Sequence, residues 1–259
     1  MILAILQARM TSTRLPGKVM RPLFGKPMLA RQIERIARAK RIEHLVVATS
    51  NDPSDDPITT LCNELGISCY RGALEDVLDR FYRAAANFAP QHVVRLTGDC
   101  PLSDPKLIDN VINYYLAGNY DYASNTIEPT FPDGLDIEIF SFLSLERAWR
   151  EAKLPSQREH VTPFIYSHPD QFRIGSYKGK EDLSALRWTV DEPADLELIA
   201  HIYGALYPTN TAFTTEDVLA LLDRKPKLKT LNSGYQRNEG LQRSIAREAN
   251  ERCVSGGEQ

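Results

Sequence analysis

The feature that most limits the fold of this chain is a series of short, almost continuously apolar runs set between amphipathic helical patterns. The opening "ILAILQA" reads as a strand buried on both faces, and "HLVVATS" from His44 and "HVVRLTGD" from His92 have similar apolar centres. Between and after them lie helical patterns. Met28 to Lys40 carries Leu29, Ile33, Ile36 and Ala37 on one face, and Ile58 to Leu65 and Asp76 to Phe88 have the same period. Strand and helix alternating in this way predict an α/β fold with a parallel sheet covered on both sides.

After Gly118 the rhythm changes. "DYASN" and "GLDIEIFSF" read as strands, the second with Leu135, Ile137 and Ile139 alternating against Asp136, Glu138 and Phe140, which implies one wet face. "SLERAWREA" and "REHVTPFIYSH" read as helices, and "QFRIGSYK" and "ALRWTVD" as extended segments. "EPADLELIAHIYGALY" is a helix with Pro193 in its first turn, followed by the helix "TEDVLALLDR". No linker interrupts this order. The expected organisation is one domain over residues 1–225, with an antiparallel elaboration at about 120–180, and a partly exposed C-terminal extension over 226–259 that frays at "SGGEQ".

Charge narrows the partners. A net charge of −3 over 259 residues gives no global field for nucleic acid or membrane, and no stretch approaches the roughly 18 apolar residues of a membrane span. The four cysteines, Cys62, Cys69, Cys100 and Cys253, show no paired spacing and read as reduced thiols, so the expected setting is the cytoplasm.

Three stretches carry chemistry. The loop "ARMTSTRLPGK" leaves the carboxyl end of the first strand, where open α/β sheets bind ligands, and its cations and backbone N–H groups suit a polyphosphate. It is not a Walker loop, because Ser12 stands where the first glycine belongs and Val19 follows Lys18; nor is it a dinucleotide fingerprint. A solvated surface loop is the other reading. In "RLTGDCPLSDP", Asp104 before Pro105 is explained as a helix cap, whereas Asp99 ends a buried strand with no helix to cap, as a metal carboxylate would. Asp191, in "LRWTVDEPADLE", ends another predicted strand and either caps the Pro193 helix, faces a metal, or does both. Asp99 and Asp191 together suit one Mg²⁺ bridging phosphate oxygens. Elsewhere the bland readings prevail: Arg31, Arg35, Arg38, Lys40 and Arg41 as a solvated helix face with Glu34 paired to Arg38, Ser156-x-x-Glu159 as a capping box, and Trp149 and Trp188 as core or interface fillers.

"ARMTSTRLPGK", "LTGDCPL" and "VDEPADLE", in this order, resemble the cytidylyltransferases that make CMP-activated acidic sugars. "YRGALEDVLDRF", "FPDGLDIEIF", "REHVTPFIY" and "RNEG" are closer to the branch of the spore-coat polysaccharide biosynthesis protein F, and the likeness runs to about Arg243. The resemblance implies a Rossmann-like, GT-A-like nucleotidyltransferase fold, a three-layer sandwich that is usually homodimeric and acts with CTP and Mg²⁺. Carried over by motif, Arg14, Lys18, Asp99 and Asp191 would be catalytic, with Asp99 and Asp191 on the metal. Nucleotide binding would fall to Ala8, Arg9, Ser12, Arg14, Lys18, Arg71, Gly72, Asp76 and Asp99. On the acceptor side, Asn125, Asp133, Asp136, Glu138, Arg158 and His160 form polar clusters near the predicted sheet mouth that suit a hydroxylated or anionic substrate. The expected reaction is transfer of CMP from CTP to an acidic sugar or a phosphorylated sugar or polyol, with release of pyrophosphate, in surface polysaccharide or glycoconjugate synthesis. A sugar-1-phosphate nucleotidyltransferase using another nucleotide, a glycosyltransferase and a non-catalytic nucleotide-binding protein are the alternatives.

Overall fold

The structure is a computed structural model and describes residues 1–255 except 236 and 238, with side chains as far as residue 250. Its elements in chain order are β1 (Ile2–Gln7), β2 (Pro22–Leu23), β3 (Lys26–Pro27), α1 (Met28–Ile36), β4 (His44–Ser50), α2 (Asp56–Leu65), β5 (Ser68–Gly72), α3 (Val77–Ala86), β6 (His92–Thr97) and α4 (Pro105–Ala117). There follow β7 (Tyr122–Ser124), β8 (Glu138–Ser141), α5 (Phe142–Glu151), α6 (Pro155–His160), α7 (Pro163–Tyr166), β9 (Ile174–Ser176), α8 (Pro193–Leu206), α9 (Thr215–Arg224) and α10 (Glu239–Ser255). The fraying expected of the final residues, and Asn238 of "RNEG", lie outside the described residues.

The main sheet runs β5-β4-β1-β6-β8-β7-β9, with β5, β4, β1 and β6 parallel and β8 antiparallel to both β6 and β7. Alternation along β1 explains the layers. Ile2, Ala4 and Leu6 enter one core with residues of α1, α2, α4, α8 and α9, while Leu3 and Ile5 enter a second core with α3 and α5. All five are buried, at roughly 1.5–3 kcal/mol for each large side chain, so a polar residue on either face of β1 would disrupt one layer. The mostly parallel sheet with a small antiparallel part is therefore the expected architecture. Its crossovers reverse between β1 and β6, and that switch point opens at the strands' carboxyl ends.

Some local expectations change. "REHVTPFIYSH" is two short helices, α6 and α7, because Val161 between them takes φ 71° and ψ −58°, with Thr162 N–H donating to the His160 carbonyl at 2.9 Å. This is a γ-turn of the strained hand. Ser156 and Glu159 form no capping box, since Leu154 stands at the N-cap and Glu159 accepts from Ser244 instead. "ALRWTVD" contributes only an isolated bridge between Arg187 and Asp133. Glu34 does pair with Arg38, at 3.0 Å, but Arg31 and Arg35 are buried rather than solvated. Arg31 donates to the Leu23 carbonyl and ties α1 to β2, while Arg35 donates to the carbonyls of Ser103 and Phe213 and anchors α1 to distant segments. Trp188 is core, and Trp149 stacks on Tyr82 at 4.1 Å. No helix among the described residues is long and apolar enough to cross a membrane.

Candidate active site

The loop after β1 folds back on one carbonyl. Met10 O accepts from Ser12 N–H at 3.0 Å and from Gly17 N–H at 2.9 Å. Asp55, wholly buried in the turn between β4 and α2, accepts from Met10 N–H at 2.7 Å and from Thr49 and Ser50, locking the loop to the sheet. On the other side, Gly98 lets the chain after β6 approach closely, since a Cβ there would stand 3.0 Å from both Ala8 Cβ and Gln7 O. Val190 N–H donates to Asp99 O at 2.8 Å, which knits the segment carrying Asp191 to the end of β6.

These constraints bring Arg14, Lys18, Asp99 and Asp191 together. Lys18 Nζ donates to Asp99 Oδ2 at 2.9 Å and to Asp191 Oδ1 at 2.7 Å, and Arg14 Nη2 lies 2.8 Å from Asp191 Oδ2. Arg14 also pairs with Glu239 at 3.1 Å. Burial works against the Lys18 ammonium, yet the two carboxylates outweigh it and raise its pKa. Burial likewise works against ionised Asp99, and Lys18 outweighs it, holding Asp99 well below the usual carboxylate range. Asp191 does not cap α8. Glu192 stands at the N-cap, and Asp195 at N3 reaches back to accept from Asp191 N–H and Glu192 N–H at 2.9 Å each, which leaves both Asp191 oxygens to Lys18, Arg14 and Arg187.

A divalent cation fits this donor set. The two carboxylates are already bridged by one cation, Lys18 Nζ, and hard oxygen donors are what Mg²⁺ takes. No cluster of three or more His, Cys, Asp or Glu suited to a metal occurs among the described residues, so the remaining ligands would be phosphate oxygens and water.

Two cavities meet at this point, sharing Arg14, Asp99, Asp191 and His160 in their walls. The one beneath the opening loop, about 470 Å³, is lined by Ala8, Arg9, Ser12, Arg14, Lys18 and Arg80, among others. Arg80 was not anticipated. Only 1 % exposed, it donates to the Ala73 and Leu74 carbonyls, its Nε has no partner, and burial together with nearby Arg9 lowers its pKa to about 10. It is a cation that the protein compensates incompletely, facing a cavity that an anion would complete.

The second cavity, about 570 Å³, includes Asp133, Asp136, Glu138, His160, Thr162 and Arg187 in its lining. Most of its charges are paired. Glu138 pairs with Arg95 and accepts from Tyr122 and Thr162; Arg187 pairs with Asp133, Asp191 and Asp195; Asp136 pairs with Arg237. Asp136 keeps about a quarter of its side chain open, but burial, with Asp133 and Glu138 adding to it, outweighs Arg237 and raises its pKa to about 7. The strained turn at Val161 sets His160 and Thr162 into this wall, and burial lowers the pKa of His160. Gly134, at φ 105°, lets the loop bearing Asp133 and Asp136 lie directly on the main chain of Trp188 and Thr189.

Five anticipated residues line neither cavity, and each is held elsewhere. Arg71 donates to the Ser50 and Asp52 carbonyls and pairs with Asp56. Gly72 packs against Arg80, where a Cβ would meet Arg80 Cγ at 3.0 Å. Asp76 caps α3 and holds Arg158, which binds it through Nε and Nη2. Asn125 is buried between strands, donating to Leu135 O and accepting from Ile137 N–H at 2.8 Å each. From the stretch where Arg71, Gly72 and Asp76 were expected to bind the nucleotide, the cavity receives Glu75, Val77 and Arg80 instead. The residues that sequence reasoning missed most completely belong to α10, whose Glu239, Gly240, Arg243, Ser244 and Arg247 reach the two cavities. The "RNEG" match was the only signal pointing there.

The sequence pattern of the cytidylyltransferase family matches residues 3–218. An uncharacterised protein of Methanocaldococcus jannaschii is 37% identical over 237 residues, covering 91% of this chain and 96% of that one. The spore coat polysaccharide biosynthesis protein SpsF of Bacillus subtilis is 35% identical over 236 residues, covering 88% and 97%. Among solved structures, a cytidylyltransferase from Leptospira borgpetersenii superposes with a TM-score of 0.85 at 32% identity, covering 91% of this chain and 99% of that one.

Proposed function

The chain belongs to the cytidylyltransferase family, and we propose that it transfers CMP from CTP to a sugar-like acceptor with release of pyrophosphate. The observation that carries this reading is the junction of two cavities at Arg14, Asp99 and Asp191. The cationic cavity takes the triphosphate and the polar one the acceptor, so the α-phosphorus lies at their shared wall.

An acceptor oxygen attacks the α-phosphorus, and the bond from that phosphorus to the bridging oxygen breaks, sending its electron pair out with pyrophosphate. Arg14 and Lys18 bind the non-bridging oxygens on which charge builds, and holding both reactants in adjoining cavities supplies orientation. Asp99 and Asp191 would hold Mg²⁺, which when bound neutralises part of the triphosphate charge. Asp136, with a pKa of about 7, accepts the proton of a hydroxyl acceptor; an ionised phosphate acceptor needs no such base.

The acceptor we propose is an acidic sugar or a phosphorylated sugar or polyol used in surface polysaccharide or glycoconjugate synthesis. The similarity to a spore coat polysaccharide biosynthesis protein supports that setting. The free thiols of Cys62, Cys69 and Cys100 support a cytoplasmic one. The homodimer follows from the family resemblance alone, and analytical ultracentrifugation tests it. The deciding experiment measures pyrophosphate release with CTP, UTP, GTP and TTP across phosphorylated sugars, polyols and nine-carbon acidic sugars. Release with CTP and one acceptor class is expected; release with another nucleotide alone overturns the reading.

A further inference from the structure

The C-terminal helix closes the cavity beneath the opening loop from outside. Glu239, its first residue, pairs with Arg14 Nη1 and with Arg243 Nη2, each at 3.1 Å. Residues 239, 243 and 247 recur at the i, i+4 spacing that places them along one face, and Arg243 and Arg247 line the same cavity as Arg9, Lys18 and Arg80. The helix is clamped there. Ser244 donates to Glu159 at 2.8 Å and lies 3.0 Å from His160 Nε2, and Glu248 accepts from Ser156 N–H.

Charge bookkeeping in the cavity points to an anion between these two walls. Lys18 is held by Asp99 and Asp191, whereas Arg9 and Arg247 have no ion pair among the described residues, and Arg80 keeps an unpartnered Nε while 1 % exposed. We propose that Arg243 and Arg247 bind the β- and γ-phosphates of the nucleotide, opposite the opening loop, and that Glu239 occupies Arg14 as an anionic placeholder until they arrive. This rests on the proposed function, which sets the triphosphate in this cavity. Displacing that one carboxylate releases Arg243 and the Nη1 contact of Arg14, which keeps Asp191 and Glu192, for the incoming phosphates.

The test is calorimetric binding of CTP, CMP and inorganic pyrophosphate, with magnesium, to the full-length protein and to Arg243→Gln/Arg247→Gln, Arg243→Lys/Arg247→Lys and Glu239→Gln variants. Thermal melts check that each is folded. The glutamine pair is expected to weaken CTP and pyrophosphate about tenfold or more while CMP, which lacks the outer phosphates, changes less than about twofold. The lysine pair restores most of the loss, and Glu239→Gln tightens pyrophosphate. Wild-type affinity of the glutamine pair for CTP and pyrophosphate overturns the proposal, as does an equal loss for CTP and CMP, which is the mark of a structural role. Failure of the wild-type protein to bind CTP instead overturns the functional reading beneath it.

Discussion

Around the opening loop, charges of opposite sign meet across an open junction. Lys18 spans Asp99 and Asp191, and Arg14 is divided among Asp191, Glu192 and Glu239. In the neighbouring cavity Arg95 and Arg187 are committed to buried carboxylates, with further hydrogen bonds saturating Glu138 and Asp195. The first arrangement can exchange its partners for a metal and a polyphosphate, since Lys18 and Arg14 are each shared between carboxylates. The second is a scaffold, because removing either member of a pair leaves an uncompensated charge. Rearrangeable electrostatics and fixed electrostatics thus lie side by side.

Substitutions at the junction should hurt turnover far more than folding. Asp99→Asn and Asp191→Asn are expected to reduce pyrophosphate release about 10³-fold or more, and Lys18→Met about 10²–10³-fold, with the circular dichroism spectrum intact. Near-wild-type turnover in both aspartate variants would dissolve the metal assignment.

The scaffold side should behave in the opposite way. Glu138→Gln strands Arg95 and is expected to lower unfolding free energy by about 3 kcal/mol in a urea titration. A loss under about 1 kcal/mol would show that this pair is as exchangeable as those at the junction.

A smaller effect separates the two regions by pH. The raised pKa of Asp136 means that its contribution to stability is fully present below about 4, the unfolded value, and is lost as pH rises through about 7. Asp99 has the opposite sign: its contribution is present above 3.8 and is lost as pH falls through its depressed folded value. Between pH 5 and 8, Asp136→Asn should therefore gain on wild type by about 2–3 kcal/mol. A constant difference across that range would remove the titration assigned to this carboxylate.

The smallest change is expected at Arg71, which is tied to Ser50, Asp52 and Asp56. Arg71→Ala should leave the KM for CTP within about twofold of wild type, and a larger rise would return this arginine to the nucleotide.

What was legible in the sequence was local. Continuous apolar runs gave the buried strands, and Pro105 after Asp104 gave a cap, with Asp104 accepting from Lys106 N–H and Leu107 N–H. The opening loop stood out because its cations follow a strand end. Distant partners were not legible. The burial of Arg31 and Arg35 depends on Tyr207 and Phe213, far along the chain. Arg71 and Asn125 have suitable chemistry, but their hydrogen bonds are spent on neighbouring backbone. No periodicity could announce the turn at Val161, since a β-branched residue at positive φ runs against local preference and persists through its burial in the core. The polar pattern of 226–259 suggested a tail because the surface it covers is assembled only in the fold.

Gly134 bears on how this scaffold can be altered. Where its loop crosses Trp188 and Thr189, two stretches of main chain touch with no side chain between them, so part of the second cavity's gauge is set by backbone thickness. Retooling the chamber for a bulkier or slimmer guest is then a matter of trimming its furnishings, such as Thr126, Ile127 and Tyr166, while the crossing itself stays bare.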